Sequence, residues 1–262
     1  SDYYIPVGTA YELSAKQVED VDGTTYCWEQ LDDGKVTSDN FGPNNISGSM
    51  TRSLPPTVNP FRTIPNLERL TSNNLTQEKP NKNDAWETVS LVSRVMQWGL
   101  TVRKPFENLI LVAQDKVKLT VDASAGPFIV TSQDDSNIVL KGGSREKITW
   151  NVANTDEPPF NTSKVSIYLS IDGGETFSIE LDTSIPNSGK AEVLIPNTID
   201  TDKARIKIKA DDGIFFALNK VNFSIESRDI IIKFNSYLLE NCTSDSVQYD
   251  FTILRSDGFN ES

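Results

Sequence analysis

Residues 204–210 read Ala-Arg-Ile-Lys-Ile-Lys-Ala, and residues 114–121 read Gln-Asp-Lys-Val-Lys-Leu-Thr-Val. In both, apolar side chains return at every second position: Ile206 and Ile208 against Arg205, Lys207 and Lys209, then Val117, Leu119 and Val121 against Lys116, Lys118 and Thr120. Period two puts one set on each face of an extended chain, so both stretches predict half-buried strands with solvent-facing charge ladders. Residues 164–171, 190–195, 221–225 and 230–234 repeat the pattern. Turn residues punctuate them: Asp172-Gly173-Gly174, Pro186-Asn187-Ser188-Gly189 and Asp211-Asp212-Gly213. Strands at this spacing, with no helical pattern between them, predict stacked sheets and not βαβ units.

Residues 85–102 are apolar enough to suggest a helix, but Met96, Trp98, Leu100 and Val102 alternate, which predicts a strand over Arg94–Arg103. Residues 65–72 have room for two helical turns at most. From Leu31 to Lys82 the chain is dominated by Asn, Ser, Thr, Pro and Gly, the composition of a large irregular excursion. Gly142-Gly143 and Gly173-Gly174 read as hairpin turns and not as phosphate-cradling loops. A small-residue linker at 122–127 and a second break at 225–228 divide the chain into 1–123, 124–228 and 229–262, the last too short to close a sandwich.

Composition narrows the chemistry. The 262 residues carry 25 Lys and Arg against 37 Asp and Glu, a net charge of −12 that argues against nucleic acid as a partner. There is no histidine, which removes Ser-His-Asp and Cys-His nucleophiles, imidazole acid–base catalysis and His-ligated zinc. No carboxylate pair stands out as glycosidase machinery, so no catalytic residue is assigned. The longest apolar run, Leu109 to Ala113, is far below the roughly 20 residues of a membrane span. The start, Ser-Asp-Tyr-Tyr, has neither an initiator Met nor a signal-peptide pattern, as expected of a piece of a longer protein. Cys27 and Cys242 stand 215 positions apart; each reads as a lone thiol, with an interdomain bridge as the alternative.

Trp28 and Trp150 sit mid-strand, where a sandwich places its core tryptophan. Glu19, Asp20 and Asp22 crowd one loop, and Asp20 and Asp22 are the candidate calcium ligands, with a solvated acidic turn as the other reading. Asp134-Asp135 and Asp211-Asp212 offer less. The basic ladders could meet polysaccharide or an acidic partner, although alternation alone accounts for them. Trp86 and Trp98 would be the stacking platforms of a glycan-binding module if their rings were exposed.

Several phrases carry a resemblance: Tyr26-Cys27-Trp28-Glu29-Gln30, Ser53-Leu54-Pro55-Pro56, Phe61-Arg62-Thr63-Ile64-Pro65, Ile148-Thr149-Trp150-Asn151-Val152-Ala153-Asn154-Thr155, Leu169-Ser170-Ile171-Asp172-Gly173-Gly174-Glu175-Thr176-Phe177 and Asn222-Phe223-Ser224-Ile225. Together they resemble the accessory domains that follow the catalytic domain in secreted reprolysin-like zinc metalloproteases of Bacteroidetes-type bacteria. Residues 242–262 resemble the start of the next module, and relatives often have a Cys near Asn161 where this chain has none.

The resemblance implies an all-β chain: two consecutive antiparallel β-sandwiches, Ig/PKD-like over 1–123 and Ig/fibronectin III-like over 124–228, plus a truncated third β element over 229–262. It implies a non-catalytic spacer, stabilising or binding role, secreted or cell-surface, with the metalloprotease catalytic domain as partner. Zinc would belong to that domain, whose HExxHxxGxxH motif has no counterpart here. An adhesin or carbohydrate-binding module, meeting extracellular protein or glycan, is the alternative.

Overall fold

A computed structural model describes residues 2–15, 23–228, 230–234 and 251–255. Its strands are β1 (Tyr3–Pro6), β2 (Ala10–Ser14), β3 (Thr25–Gln30) and β4 (Phe61–Ile64), then, after the short helix α1 (Leu67–Thr71), β5 (Arg94–Phe106) and β6 (Leu109–Asp122). There follow β7 (Ile129–Val130), β8 (Val139–Lys141), β9 (Arg145–Asn151), β10 (Lys164–Ser170), β11 (Ile179–Pro186), β12 (Lys190–Leu194), β13 (Thr201–Ala210), β14 (Phe215–Leu218) and β15 (Phe223–Glu226). A separate hairpin joins β16 (Ile230–Phe234) to β17 (Phe251–Arg255).

The fold is all-β, built as sandwiches. One sheet has the order β1-β6-β5-β3 and packs on β2 and β4, where Tyr11 of β2 meets Trp98 of β5 edge to face with centroids 6.4 Å apart. A three-stranded sheet, β12-β9-β7, lies across the core from β10, β13 and β14. Most pairings are antiparallel, but β1 runs parallel to β6 and β15 parallel to β8. Trp98 is fully buried, and Trp28 and Trp150 take the core positions that alternation predicts. Truncating Trp98 to Ala would cost about 3–5 kcal/mol through lost contact and the cavity left behind.

The largest sheet joins residues from both sides of position 124. Its order is β11-β10-β13-β14-β2-β4, with β14 opposite β2 through Phe215↔Tyr11 and Phe216↔Ala10. Val7 N–H donates to Ala125 O (3.1 Å), Phe128 N–H to Thr9 Oγ1 (3.0 Å) and Glu12 N–H to Ile214 O (2.8 Å). Residues 122–127 are therefore tied down, and Gly126 N–H also donates to Ala153 O.

The excursion over 31–82 is irregular apart from β4 and α1, and buried ion pairs hold it. Arg62 donates to Trp28 O, Arg52 O and Glu87 Oε1, while Glu87 Oε2 accepts from Asn66 N–H. Arg94 donates to Asn45 O and Gly48 O. These partners satisfy main-chain carbonyls, those of the buried Trp28 and Gly48 among them.

One turn differs from its reading. Gly142-Gly143 closes no hairpin: β8 pairs with β15, whereas β9 pairs with β12 and β7, so the two glycines carry the chain from one sheet to the other. A Cβ on Gly142 would lie 2.6 Å from Asn197 O, which explains the residue.

Candidate functional site

Two features stand out on this body: a cleft at the seam where the two halves share a sheet, and an arm that projects from the first half.

The cleft has a volume of about 310 Å³. Phe61, Leu67, Leu70, Phe177, Phe216 and Leu218 supply its apolar walls, and Glu12 and Lys207 its charged floor. Lys207 stands opposite Leu218 in the β13–β14 ladder, and Glu12 reaches it from β2 because β2 pairs with β14. The Lys207 ammonium lies 3.3 Å from Glu12 Oε2, 4.3 Å from the Phe216 ring centroid and 5.4 Å from that of Phe177. Lys209 takes the other oxygen, Glu12 Oε1, at 2.8 Å. Burial alone would raise the Glu12 pKa, but Lys207 and Lys209 outweigh it and hold the carboxyl below its ordinary value. Burial drives the Lys207 ammonium the other way, below the usual lysine value, with Glu12 opposing the shift.

This corrects the reading of the ladder on β13. Arg205 is buried, Lys207 is largely covered and Lys209 is one-third exposed, because the Glu12 side chain and α1 lie over that face. Arg205 is buried and donates to Asn222 Oδ1 (2.5 Å), Asn219 O (2.7 Å) and Thr71 O (2.7 Å), the last on α1. Lys116 and Lys118 are exposed, and Lys118 pairs with Asp2 at 2.9 Å.

The arm is the distal half of the β5–β6 hairpin. The register runs without a break from Arg94↔Val121 to Phe106↔Leu109, closed by Glu107 and Asn108. β3 flanks β5 only as far as Arg103, and β1 flanks β6 only over Leu119–Asp122. Beyond those points both outer edges are open among the described residues. The relative exposures are 51% for Phe106, 66% for Leu109, 66% for Ile110, 49% for Leu111 and 58% for Val112. These are large apolar side chains left in water, Leu109 and Leu111 on one face of β6 and Ile110 and Val112 on the other, an exposure of the kind that marks interaction surfaces. Arg103, Lys104, Lys116 and Lys118 outnumber Glu107 and Asp115 along the arm, although the whole chain is acidic.

Trp86 and Trp98 are both buried, which removes them as stacking platforms. Trp98 is core, and Trp86 lies under the Arg52 guanidinium (3.9 Å) and against Phe41, its indole N–H donating to Asn81 O at 2.7 Å. Asp134 is engaged with the Lys220 backbone and ammonium, Asp135 with Asn137, and Asp211 with Ser166 and Ser184. Cys27 is a buried free thiol donating to Leu54 O at 3.5 Å. Asp20 and Asp22, with Glu19 and Cys242, lie outside the described residues. Among the described residues no group of three or more Cys, Asp or Glu side chains is placed to hold a metal ion, and no helix is long and apolar enough to cross a membrane.

No known family profile matches the chain, and no curated protein matches it. Solved structures similar to it include Dpr2 Ig1-Ig2 in complex with DIP-Theta Ig1-Ig3, at 12% identity and a TM-score of 0.30, covering 87% of this chain and 95% of that one. A chimeric titin Z1Z2 tandem is 13% identical with a TM-score of 0.25, covering 86% and 96%. Drosophila N-cadherin EC1-4 is 8% identical with a TM-score of 0.24, covering 90% and 50%. Superpositions this loose transfer no residue and no partner.

Proposed function

We propose that this chain is a non-catalytic accessory region of a secreted or cell-surface bacterial zinc metalloprotease, holding and docking a catalytic domain that lies N-terminal to it. The observation that carries the reading is the exposed apolar arm on a body whose two halves share one sheet. A stiff body with one sticky projection suits a domain that positions a neighbour. The resemblance of residues 26–30, 53–56, 148–155 and 169–177 to protease accessory domains supplies the identity of that neighbour. Position supports it too: Tyr3 pairs with Leu119 in parallel register, so chain preceding Tyr3 arrives beside the open edge of β6. The basic flanks of the arm call for an apolar face with an acidic rim. The division into 1–123, 124–228 and 229–262 belongs to this reading, as does calcium bound at Asp20 and Asp22.

The test is casein hydrolysis by a chain extended upstream into the catalytic domain, with and without a zinc chelator. Chelator-sensitive activity in the long form alone is expected, together with a lower inactivation temperature when Leu109 and Leu111 are replaced by Ser. No activity in the long form, or activity in the present chain, would overturn the assignment. An adhesin is the second reading; the same arm favours it, and specific capture of an extracellular protein that the Ser variants lose would support it. For calcium, a rise in melting temperature on adding millimolar Ca²⁺, absent in Asp20→Asn/Asp22→Asn, is expected; equal melting of both proteins would dismiss the site.

A further inference from the structure

A buried ammonium ordinarily spends its three donors on nearby oxygens. Lys207 does not: among the described residues its one hydrogen-bond acceptor is Glu12 Oε2, at a long 3.3 Å, and its other near neighbours are the faces of Phe216 and Phe177. Its side chain is 12% exposed, and that exposed part faces the cleft. Glu12 meets no more of that demand in this geometry, its other oxygen being turned to Lys209 at 2.8 Å. Two cations share one anion: Lys209, one-third exposed, holds Glu12 from outside the cleft, and Lys207 is left with unengaged donors at the floor of an apolar chamber.

The lip is apolar as well: Phe61 is 47% and Leu67 38% exposed. Glu175 also lines the cleft but is exposed, where water and salt weaken its field. A volume of about 310 Å³ lies at the small end of ligand sites, room for one aromatic side chain and a charged group. The chamber exists only because the halves are joined: β13, β14, β2 and β4, neighbours in one sheet, form its floor, and α1 and the loop after β10 complete its lining.

We propose that the seam cleft binds a carboxylate carried on an apolar, preferably aromatic, group, with Lys207 donating to the carboxylate and Phe61, Phe177 and Phe216 enclosing the apolar part. A peptide C-terminus ending in an apolar residue and a free arylalkanoic acid share this chemistry. The proposal does not depend on the protease reading, since it concerns a site complete within this chain.

The test is a residue-resolved NMR titration of the full chain with four probes: acetyl-Ala-Ala-Ala-Phe as the free acid and as the amide, and 3-phenylpropionate and its amide. Both acids are expected to shift the backbone amides of Gly174, Phe216 and Leu218 and to saturate, with the amides weaker by about tenfold or more because they forfeit the charged hydrogen bond. A tighter peptide acid identifies a chain terminus as the natural ligand, and equal affinities identify a small free acid. Lys207→Met, which keeps an aliphatic side chain of similar length, is expected to abolish the preference for acid over amide, and Lys207→Arg to retain it. Acids and amides shifting these residues alike, or no shift at millimolar probe, would overturn the proposal on the unaltered protein, whether or not a variant folds.

Discussion

At Asn187 one amide serves three segments of the second half. Its Oδ1 accepts from Trp150 Nε1 at 2.8 Å, and its Nδ2 donates to Thr155 Oγ1 and Thr162 O, both at 3.0 Å. Asn187→Ala would leave a buried indole N–H and a carbonyl unpartnered, and an unmet buried group costs about 1–3 kcal/mol. A drop in the urea midpoint corresponding to about 2–4 kcal/mol with an unchanged m-value is expected; a shift below about 0.5 kcal/mol would mean that water replaces the amide. Two carboxyls held below their ordinary values add a pH dependence. Glu12 is held below its ordinary pKa, and Asp172, despite partial burial that raises it, is held at about 2 by donors from Ser170 and Thr176. Both carboxyls bind protons more weakly folded than unfolded. Their contribution is therefore complete above the ordinary carboxyl pKa near 4 and is lost as pH falls through their lowered folded values, about 2 for Asp172. Glu12→Gln strands two lysines and should cost roughly 3 kcal/mol at neutral pH. Its melting temperature should also fall less steeply than that of the unaltered chain between pH 5 and pH 2. Parallel melting curves would show that Glu12 carries none of the acid response.

Among the elements, β13 and the arm show where alternation in sequence stops being informative. Period two correctly marks Ile206 and Ile208 as core, but it cannot say what covers the opposite face. Here the cover is Glu12, 195 residues away from Lys207, and α1. Nothing local to Arg205, Lys207 or Lys209 distinguishes a strand washed by solvent from one overlaid by a distant segment. The arm is the converse case: an uninterrupted Leu-Ile-Leu-Val-Ala run usually belongs to a strand buried on both faces, yet it extends past its neighbours into water. Because those side chains bury little, Ile110→Ser should change stability by no more than about 0.5 kcal/mol while reducing the binding of a hydrophobic dye. A loss of several kcal/mol in urea unfolding would show that the run is packed.

On the scale of the whole molecule, strands, the turns other than Gly142-Gly143 and the core tryptophans were legible because they obey local rules. The seam was not, because it is made by pairing β2 with β14 across more than two hundred positions. The same fact limited the site: Lys207 could be read only as one rung of a ladder, and Phe61, Phe177 and Phe216 had no visible reason to converge. A sheet continuous across both halves predicts one calorimetric unfolding transition for residues 2–228, with van't Hoff and calorimetric enthalpies in agreement. Two resolved transitions would show that the halves melt independently.

The two parallel pairings also set how the chain answers to tension. Tyr3–Pro6 enters alongside the exit of β6, and β15 leaves alongside β8. A pull along the chain would drag each of these strands lengthwise past its neighbour, loading all the hydrogen bonds of the pair together instead of opening them one after another. Resistance to stretching should therefore be concentrated at the two ends of the body, and in single-molecule pulling the first rupture should lie in β1–β6 or β15–β8, with the seam parting later.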